Sequence, residues 1–299
     1  MNGTLAWVYG KTEKETNTRL VITLLLFVPV IVVSAYLTRP DAAHPAGYLQ
    51  IWVSWALAAA AMIFLMTVIG VRIALRPAGV LISERNTMSM SRLQVVLWTV
   101  LISSSFLAIA LARAFHGGIN PNEVLDIAIP KEVWELLGLS GGSTLLASMV
   151  QSSKSDKDPD VARVGPPTST AVTPNPLSVT PSGRRGILPV YSAPNEARFA
   201  NLFQGDELAN HRSIDLAKVQ LFIFTVVGVL AYGAALFQMM DGASARMLTE
   251  YPAVTPTLVT ILGISHATYL GNKAVDKTPT VPKGTTPPAA PLPPLGNND

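Results

Sequence analysis

The chain has 299 residues, of which 49% are hydrophobic and 14% are charged, and its formal net charge is +3. Soluble domains carry about 25% charged residues, so this composition favours a membrane protein over a soluble domain. The sequence has no cysteine, which excludes disulfide bonds, thiolate metal sites and cysteine nucleophiles. It has no basic helix with interleaved aromatic residues, so its positive charge does not indicate nucleic-acid binding.

The apolar residues are concentrated in six stretches, and a transmembrane helix needs about 20 such residues. In chain order the stretches are 20–37, 48–71, 93–112, 133–150, 219–240 and 257–271. The fourth and sixth are shorter and richer in Gly, Ser and Thr, so a tilted span and a re-entrant segment are alternatives there. The first stretch is longer than the apolar core of a signal peptide, which has about 7–15 residues, so we expect a membrane span there and not a cleaved signal peptide. The pattern predicts an all-α membrane protein with six transmembrane helices.

The distribution of basic residues predicts the orientation, because Lys and Arg accumulate on the cytoplasmic side of membrane spans. With the N-terminus inside, most of the 22 Lys and Arg residues fall on inside segments. The exceptions, on the outside segments, are Arg39, Arg113, Lys131 and Arg246. We therefore predict that both termini are cytoplasmic, in the bacterial cytoplasmic (inner) membrane.

The segments between the spans differ in composition. Residues 151–194 and 274–299 are rich in Pro, Ser and Thr, which predicts a disordered cytoplasmic linker and a disordered tail. A cytoplasmic protein that recognises polyproline is a candidate partner for these segments. Phe199, Leu202 and Phe203 have helical spacing, which predicts an amphipathic cytoplasmic helix over 195–214 that packs against the ends of the spans. The remaining parts are the cytoplasmic N-terminus 1–19, the N-terminal transmembrane pair 20–75, and two transmembrane hairpins, 89–150 and 215–273.

The two hairpins repeat parts of each other's sequence. Residues 89–94 recur as 215–220, and residues 136–144 recur as 261–269. The matched positions include polar and small residues, so hydrophobic composition alone does not explain them. They predict a parallel internal repeat of two helical hairpins, the third and fourth spans and the fifth and sixth, related by a pseudo-two-fold axis along the membrane normal.

The first repeated segment predicts how two helices begin. Ser89 and Asp215 are residue types that cap helix N-termini through their side-chain oxygens. Arg92 and Lys218 then lie three residues further on, where long basic side chains reach lipid phosphates at the membrane surface.

The repeat also contains residues suited to contacts between helices. Gln94 and Gln220 are expected to donate hydrogen bonds across to other helices rather than line a pore. Small residues four apart let helix backbones approach closely, so the fourth and sixth spans are expected to cross each other or a subunit partner. These residues are Gly138, Gly142, Gly263, Ala267 and Gly271.

One motif suggests chemistry. The Gly-x-Ser-Gly pattern at 138–141, with His266 on the sixth span, resembles rhomboid intramembrane serine proteases. The resemblance implies that Ser140 attacks the substrate and that His266 is the base. The sequence departs from that family three and seven residues after the histidine, where Tyr269 and Lys273 replace glycines. It also has no His-x-x-x-Asn pair on the second span.

Three functions follow as hypotheses. Signatures of helix packing outnumber catalytic ones, so the first is a non-enzymatic scaffold or anchor subunit that binds no cofactor or metal. Its partners would be the lipid bilayer and other membrane subunits or further copies of itself. The second is a channel or transporter with a polar path along Ser103, Ser104, Ser105 and His266, because an ionisable residue within a span is a functional candidate. The third is the protease.

Overall fold

The computed structural model describes Leu25 and residues 28–40, 47–164 and 181–281. The predictions for 1–19, for much of the first span and for the polyproline part of the tail lie outside these residues. The described chain is mostly helical, with one small sheet. Its main helices are α1, which includes residues 28–36, α2 (Ile51–Ala74), α3 (Met90–His116), α4 (Lys131–Ser155), α5 (Leu216–Met240) and α6 (Pro256–Ala274).

Four of the described helices, α2 to α5, are long and apolar enough to cross a membrane. They correspond to the second to fifth predicted spans, and they fit an integral membrane protein. α6 has 19 residues but is not one of the four, because several Thr residues, Ser265, His266 and Asn272 interrupt its apolar sequence and leave no stretch long and apolar enough. Six spans therefore remain a proposal, which we take up below.

α3 is at the centre of the bundle. It packs against α2, α4 and α5, and 44% of its most apolar window is buried, compared with 28% for each of the other three candidate spans. One core joins Trp98 of α3, Leu136 of α4, Leu236 of α5 and Leu262 of α6, each at most 2% exposed.

The two hairpins lie side by side in the same sense. α3 packs beside α5 and α4 beside α6, in addition to the contacts within each hairpin. The two hairpin loops also meet, because the backbone of Ala128 bonds to Thr249 and Tyr251. A two-fold axis along the membrane normal would instead pack α3 against α6 and α4 against α5, and the described residues show no comparable packing of those pairs. The expected axis is therefore not the relation between the hairpins.

Part of the segment expected to be a disordered linker is ordered. α4 continues to Ser155, a short helix covers Val161–Val164, and strands β1 (Gly183–Arg185) and β2 (Leu188–Val190) form an antiparallel hairpin. Ile187 and Leu188 are 0% and 2% exposed. These two apolar side chains anchor a segment whose average composition indicates disorder.

Residues 195–214 do not form the expected α-helix. They contain only a 3-10 turn at Phe199–Leu202 after one at Pro194–Glu196. The apolar residues nevertheless pack, since Leu202 is fully buried and the Phe203 ring meets Phe222 edge-on with centroids 5.1 Å apart. The first residues of the expected tail are ordered too, because Asp160 and Val281 bond by their backbones to Pro279 and Asp158.

The turn of the β-hairpin depends on glycine at position 186. Gly186 has φ +61°, and an added Cβ would lie 2.4 Å from the carbonyl oxygen of Lys154 at the end of α4. We expect Gly186→Ala to lower the free energy of unfolding by at least about 1 kcal/mol, because a left-handed backbone alone costs a residue with a Cβ roughly 1–2 kcal/mol. Thermal unfolding in detergent measures this. Gly183→Ala is the control, since its Cβ would meet nothing within 4 Å. Equal midpoints for the two variants would contradict the prediction.

Candidate functional site

The helix starts predicted from the repeat differ in how they are capped. Asp215 precedes α5, and its Oδ1 accepts hydrogen bonds from the backbone N–H groups of Ala217 at 3.0 Å and Lys218 at 3.4 Å. Ser89 holds the corresponding position before α3, but its hydroxyl bonds to the Ser91 hydroxyl at 3.3 Å and accepts no bond from a backbone N–H of the first turn. Ser89 and Asp215 both precede the first turn of a helix, but of α3 and α5 only α5 has a side-chain cap.

The basic residues three positions after Ser89 and Asp215 have partners within the protein. Lys218 is 4% exposed, and its Nζ donates to the Asp206 carboxylate at 3.0 Å and to the Gln204 carbonyl at 2.6 Å. Arg92 donates through Nη1 to the carbonyl of Ile82. Lys218 therefore does not extend to lipid phosphates as the sequence suggested, because it is paired with the carboxylate of Asp206 inside the protein.

Asp206 is the centre of a cluster of cations at this end of the bundle. Its carboxylate accepts hydrogen bonds from Lys218 at 3.0 Å, Lys273 at 2.6 Å and Arg85 at 2.9 Å. The side chain of Asp206 is 17% exposed and those of the three cations 5–8%. The loop before α3, the start of α5 and the end of α6 therefore meet at one carboxylate.

Glu207 holds a second set of segments. Its Oε1 accepts from Lys154 at the end of α4, and its Oε2 accepts from the backbone N–H groups of Lys277 at 2.8 Å and Thr278 at 2.7 Å. Lys154 also donates to the carbonyl of Val275 at 3.0 Å. The end of α4 and the segment after α6 are thus fastened together by a carboxylate that is 2% exposed.

The cluster controls the ionisation of Asp206. Burial alone would raise the pKa of this carboxyl, but Lys218, Lys273 and Arg85 outweigh burial and hold the pKa well below its usual range. The usual pKa of an aspartate is about 3.9. Ionisation of Asp206 therefore stabilises the fold at any pH above about 4, and this stabilisation is lost as the pH falls through the lower pKa of the folded state.

We expect Asp206→Asn to lower the free energy of unfolding by roughly 3–5 kcal/mol, because it leaves three buried cations without their anion. Wild-type protein should lose stability below a pH of about 4, and the variant should show a smaller loss there. Thermal unfolding in detergent over a pH series measures both effects. Asp160→Asn is the control, since its partner Arg163 is 75% exposed and such pairs contribute about 0–1 kcal/mol. Similar midpoints for both variants would rule out the central role of Asp206.

Neither carboxylate was predicted from the sequence, because Asp206 and Glu207 lie within 195–214, where the spacing of the apolar residues predicted an amphipathic helix. The available signal was a pair of adjacent acidic residues in a predicted inside segment, close to the start of a membrane span that carries Lys218.

Gln94 forms a buried junction between three helices. It is 0% exposed on α3, and its Nε2 donates to Thr225 Oγ1 on α5 at 2.6 Å and lies 3.3 Å from His266 Nε2 on α6. When Gln94 is the donor, His266 Nε2 accepts, so the proton of the neutral ring is on Nδ1. That Nδ1 has no hydrogen-bond partner among the described residues. Gln220, the counterpart of Gln94 in the repeat, is partly exposed on α5.

A groove of about 560 Å³ opens between α4 and α6. We call it the α4–α6 groove, and its lining includes Gly138, Gly142, Gly263, Ala267, Ser143 and His266. An added Cβ at any of these glycines, or at Gly271 beyond the groove, would meet nothing within 4 Å. α4 and α6 do pack on each other. Their glycines nevertheless face open space, so the close backbone contact suggested by the sequence does not occur within the described chain.

Ser140 and His266 do not form a catalytic pair in this structure. The hydroxyl of Ser140 is buried and has no hydrogen-bond partner among the described residues, so it makes no bond to the imidazole. The ring of His266 contacts Gln94 instead. A serine nucleophile is activated by a hydrogen bond to its base, and the rhomboid resemblance lacks that contact here.

The three serines of α3 do not line one path. Ser103 is exposed, Ser104 accepts a hydrogen bond from Trp55 Nε1 of α2 at 3.0 Å, and Ser105 bonds to the Tyr251 hydroxyl at 3.0 Å. They point in different directions, and the two buried ones join α3 to its neighbours.

Comparison of the chain with known protein families, with curated proteins and with solved structures found no match. In the part of the chain that the structure describes, no three His, Asp or Glu side chains lie close enough together to hold a metal ion. The assignment to a class therefore depends on the fold, whose four long apolar helices fit an integral membrane protein.

Proposed function

We propose that the protein is a non-enzymatic scaffold or anchor subunit of a membrane complex, and that the α4–α6 groove receives a transmembrane helix of a partner subunit. In this proposal α1 and α6 cross the bilayer together with the four candidate spans. The observation that carries the proposal is the groove itself, in which small residues from two neighbouring helices remain uncovered.

The groove differs from the rest of the apolar surface. Large side chains such as Leu145, Ile223, Leu230 and Ile264 are 50–67% exposed, as expected where lipid tails are the solvent. Association between membrane helices depends on close backbone approach, which small residues permit and large ones prevent. A concave stripe of small residues among large ones therefore suits a helix better than lipid.

The residues of the groove lining also favour a helix as the occupant. Ser143 and His266 both line the groove, and neither Ser143 Oγ nor His266 Nδ1 has a hydrogen-bond partner among the described residues. Ser and His side chains are types that form hydrogen bonds between membrane helices, whereas lipid tails offer them no partner. The proposal thus commits to a partner helix that carries a polar group near His266.

The charged residues support the proposed orientation. Arg85, Lys154, Lys218 and Lys273 all lie at one end of the bundle, where the ends of α4 and α6 meet the starts of α3 and α5. In the proposed orientation this end faces the cytoplasm, because Lys and Arg are concentrated on the segments predicted to be inside.

Filling the groove tests the function. We expect the double variant Gly142→Leu, Gly263→Leu to abolish assembly, because each new side chain takes the space of the partner helix. A photo-crosslinking amino acid at Leu139, which lines the groove, reports the contact in the intact membrane. In the wild type we expect a crosslinked peptide from a transmembrane segment of another protein.

Gly141→Leu is the matched control, because Gly141 is on the same helix and also faces open space but does not line the groove. This variant should crosslink as the wild type does. Crosslinks to lipid alone, or an unchanged pattern in the filled variant, would contradict the proposal. If the crosslinked peptide came from another copy of this protein, the helix in the groove would belong to a second copy and not to a different subunit.

A channel or transporter is the second candidate, because His266 lines the α4–α6 groove and an ionisable residue within a span is a functional candidate. In this proposal the groove itself is the path, and the bond from Gln94 holds the imidazole at its wall. If the groove conducts, ion or substrate flux in proteoliposomes should fall at least tenfold in His266→Ala. Ser103→Val is the control, because Ser103 is exposed away from the junction. Absence of flux in the wild type would exclude this candidate.

A further inference from the structure

A second concave region lies at the cation-rich end of the bundle. This cavity of about 410 Å³ is walled by the loop before α3, the first turn of α3, the last turns of α4 and the β-hairpin. We call it the Ser89 cavity, and Arg85, Ser89, Arg92, Ala147 and Arg185 are among its lining residues. Its volume is in the range of about 300–1,000 Å³ that is typical of sites for small ligands.

The lining of the Ser89 cavity is positively charged. It includes Arg85, Arg92 and Arg185, and among the described lining residues Glu84 is the one acid. Glu84 is 82% exposed and lies 3.5 Å from Arg185, so it offsets the charge of that arginine only weakly. Arg92 bonds to a neutral carbonyl. The cavity therefore attracts anions.

Arg85 adds an unsatisfied donor. The residue is 6% exposed, and its Nη1 and Nη2 donate to the carbonyl and the carboxylate of Asp206. Asp206 also binds Lys218 and Lys273, so Arg85 has no anion of its own. Its Nε has no hydrogen-bond partner among the described residues. Arg85 therefore brings to the cavity wall a positive charge that Asp206, shared among three cations, does not fully neutralise.

The second hairpin shows what fills the corresponding place. At the start of α5 the Asp215 carboxylate caps the helix, and Asn272 of α6 donates to both of its oxygens at 2.9 and 3.0 Å. In the repeat Ser89 corresponds to Asp215. Nine residues beyond the paired Gly138 and Gly263 the sequence has Ala147 and Asn272. The first hairpin therefore lacks both the carboxylate and the amide, and the two smaller residues line a cavity instead.

We propose that the Ser89 cavity binds an anionic phosphate ester, with its oxygens at the start of α3 in the place that the Asp215 carboxylate holds at the start of α5. Backbone N–H groups at a helix N-terminus favour phosphate, and guanidinium groups bind it with paired hydrogen bonds. The shared chemistry has two sources: the headgroup of an anionic phospholipid at the membrane surface, and a soluble phosphorylated molecule.

Three probes distinguish the sources, each added to the delipidated full-length protein in maltoside detergent. They are sn-glycerol 3-phosphate, dioleoyl phosphatidylglycerol, and dioleoyl glycerol, which lacks the phosphate. A rise in the thermal unfolding midpoint with glycerol phosphate assigns a soluble ligand. A rise with phosphatidylglycerol, but with neither glycerol phosphate nor dioleoyl glycerol, assigns a lipid headgroup.

The substitution Ser89→Asp supplies the missing carboxylate and tests the proposal directly. It should weaken binding of the active probe at least tenfold, while the midpoint of the ligand-free protein stays level or rises, because Asp caps a helix N-terminus. Arg92→Gln should weaken binding about tenfold. Arg184→Gln should bind as the wild type does, because Arg184 is exposed and does not line the cavity.

Three results would overturn the proposal. The first is no response of the wild type to either phosphate probe. The second is an equal response to phosphatidylglycerol and dioleoyl glycerol. The third is a response that survives both Ser89→Asp and Arg92→Gln.

Discussion

Two adjacent carboxylates, Asp206 and Glu207, determine how the described helices meet at one end of the bundle. Each accepts hydrogen bonds from several chain segments, and between them they bind Arg85, Lys154, Lys218 and Lys273. Removing charges from water is costly, so such a cluster persists only when each charge has partners in good geometry. The segment between α4 and α5 must therefore fold over the end of the bundle. Its ordered β-hairpin and 3-10 turns follow from this requirement.

Because these contacts fix the ends of the helices, they also fix the height of one hairpin relative to the other. Gln94 of α3 then lies level with Thr225 of α5 and His266 of α6, and one amide joins three helices. The similar segments of α4 and α6 come to lie on neighbouring helices, where their small residues line one groove. The α4–α6 groove and the Ser89 cavity both lie where small side chains leave space between neighbouring segments. The groove has small residues on both sides, and the Ser89 cavity has Ser89 and Ala147 where the other hairpin has Asp215 and Asn272.

Several local features could be predicted from the sequence because they depend on short-range chemistry. Apolar stretches of sufficient length predicted the four long helices. Asp215 caps α5 as its residue type suggests, and Gln94 bonds across helices because a buried amide needs partners. The ordered hairpin at 183–190 was missed, since Ile187 and Leu188 are two apolar residues in a segment of polar composition. The α-helix expected at 195–214 does not form, because the segment instead brings Asp206 and Glu207 against Lys218 and Lys154.

By itself the sequence determined where long apolar helices form, where α3 and α5 begin, and that basic residues concentrate near the helix ends predicted to be cytoplasmic. These properties depend on residues close together in the chain. Only the tertiary structure decided which cations share Asp206, that the hairpins lie side by side, and that the glycines of α4 and α6 face a groove. Those outcomes depend on contacts between residues far apart in the chain, and neither hydrophobic periodicity nor charge counts contain that information.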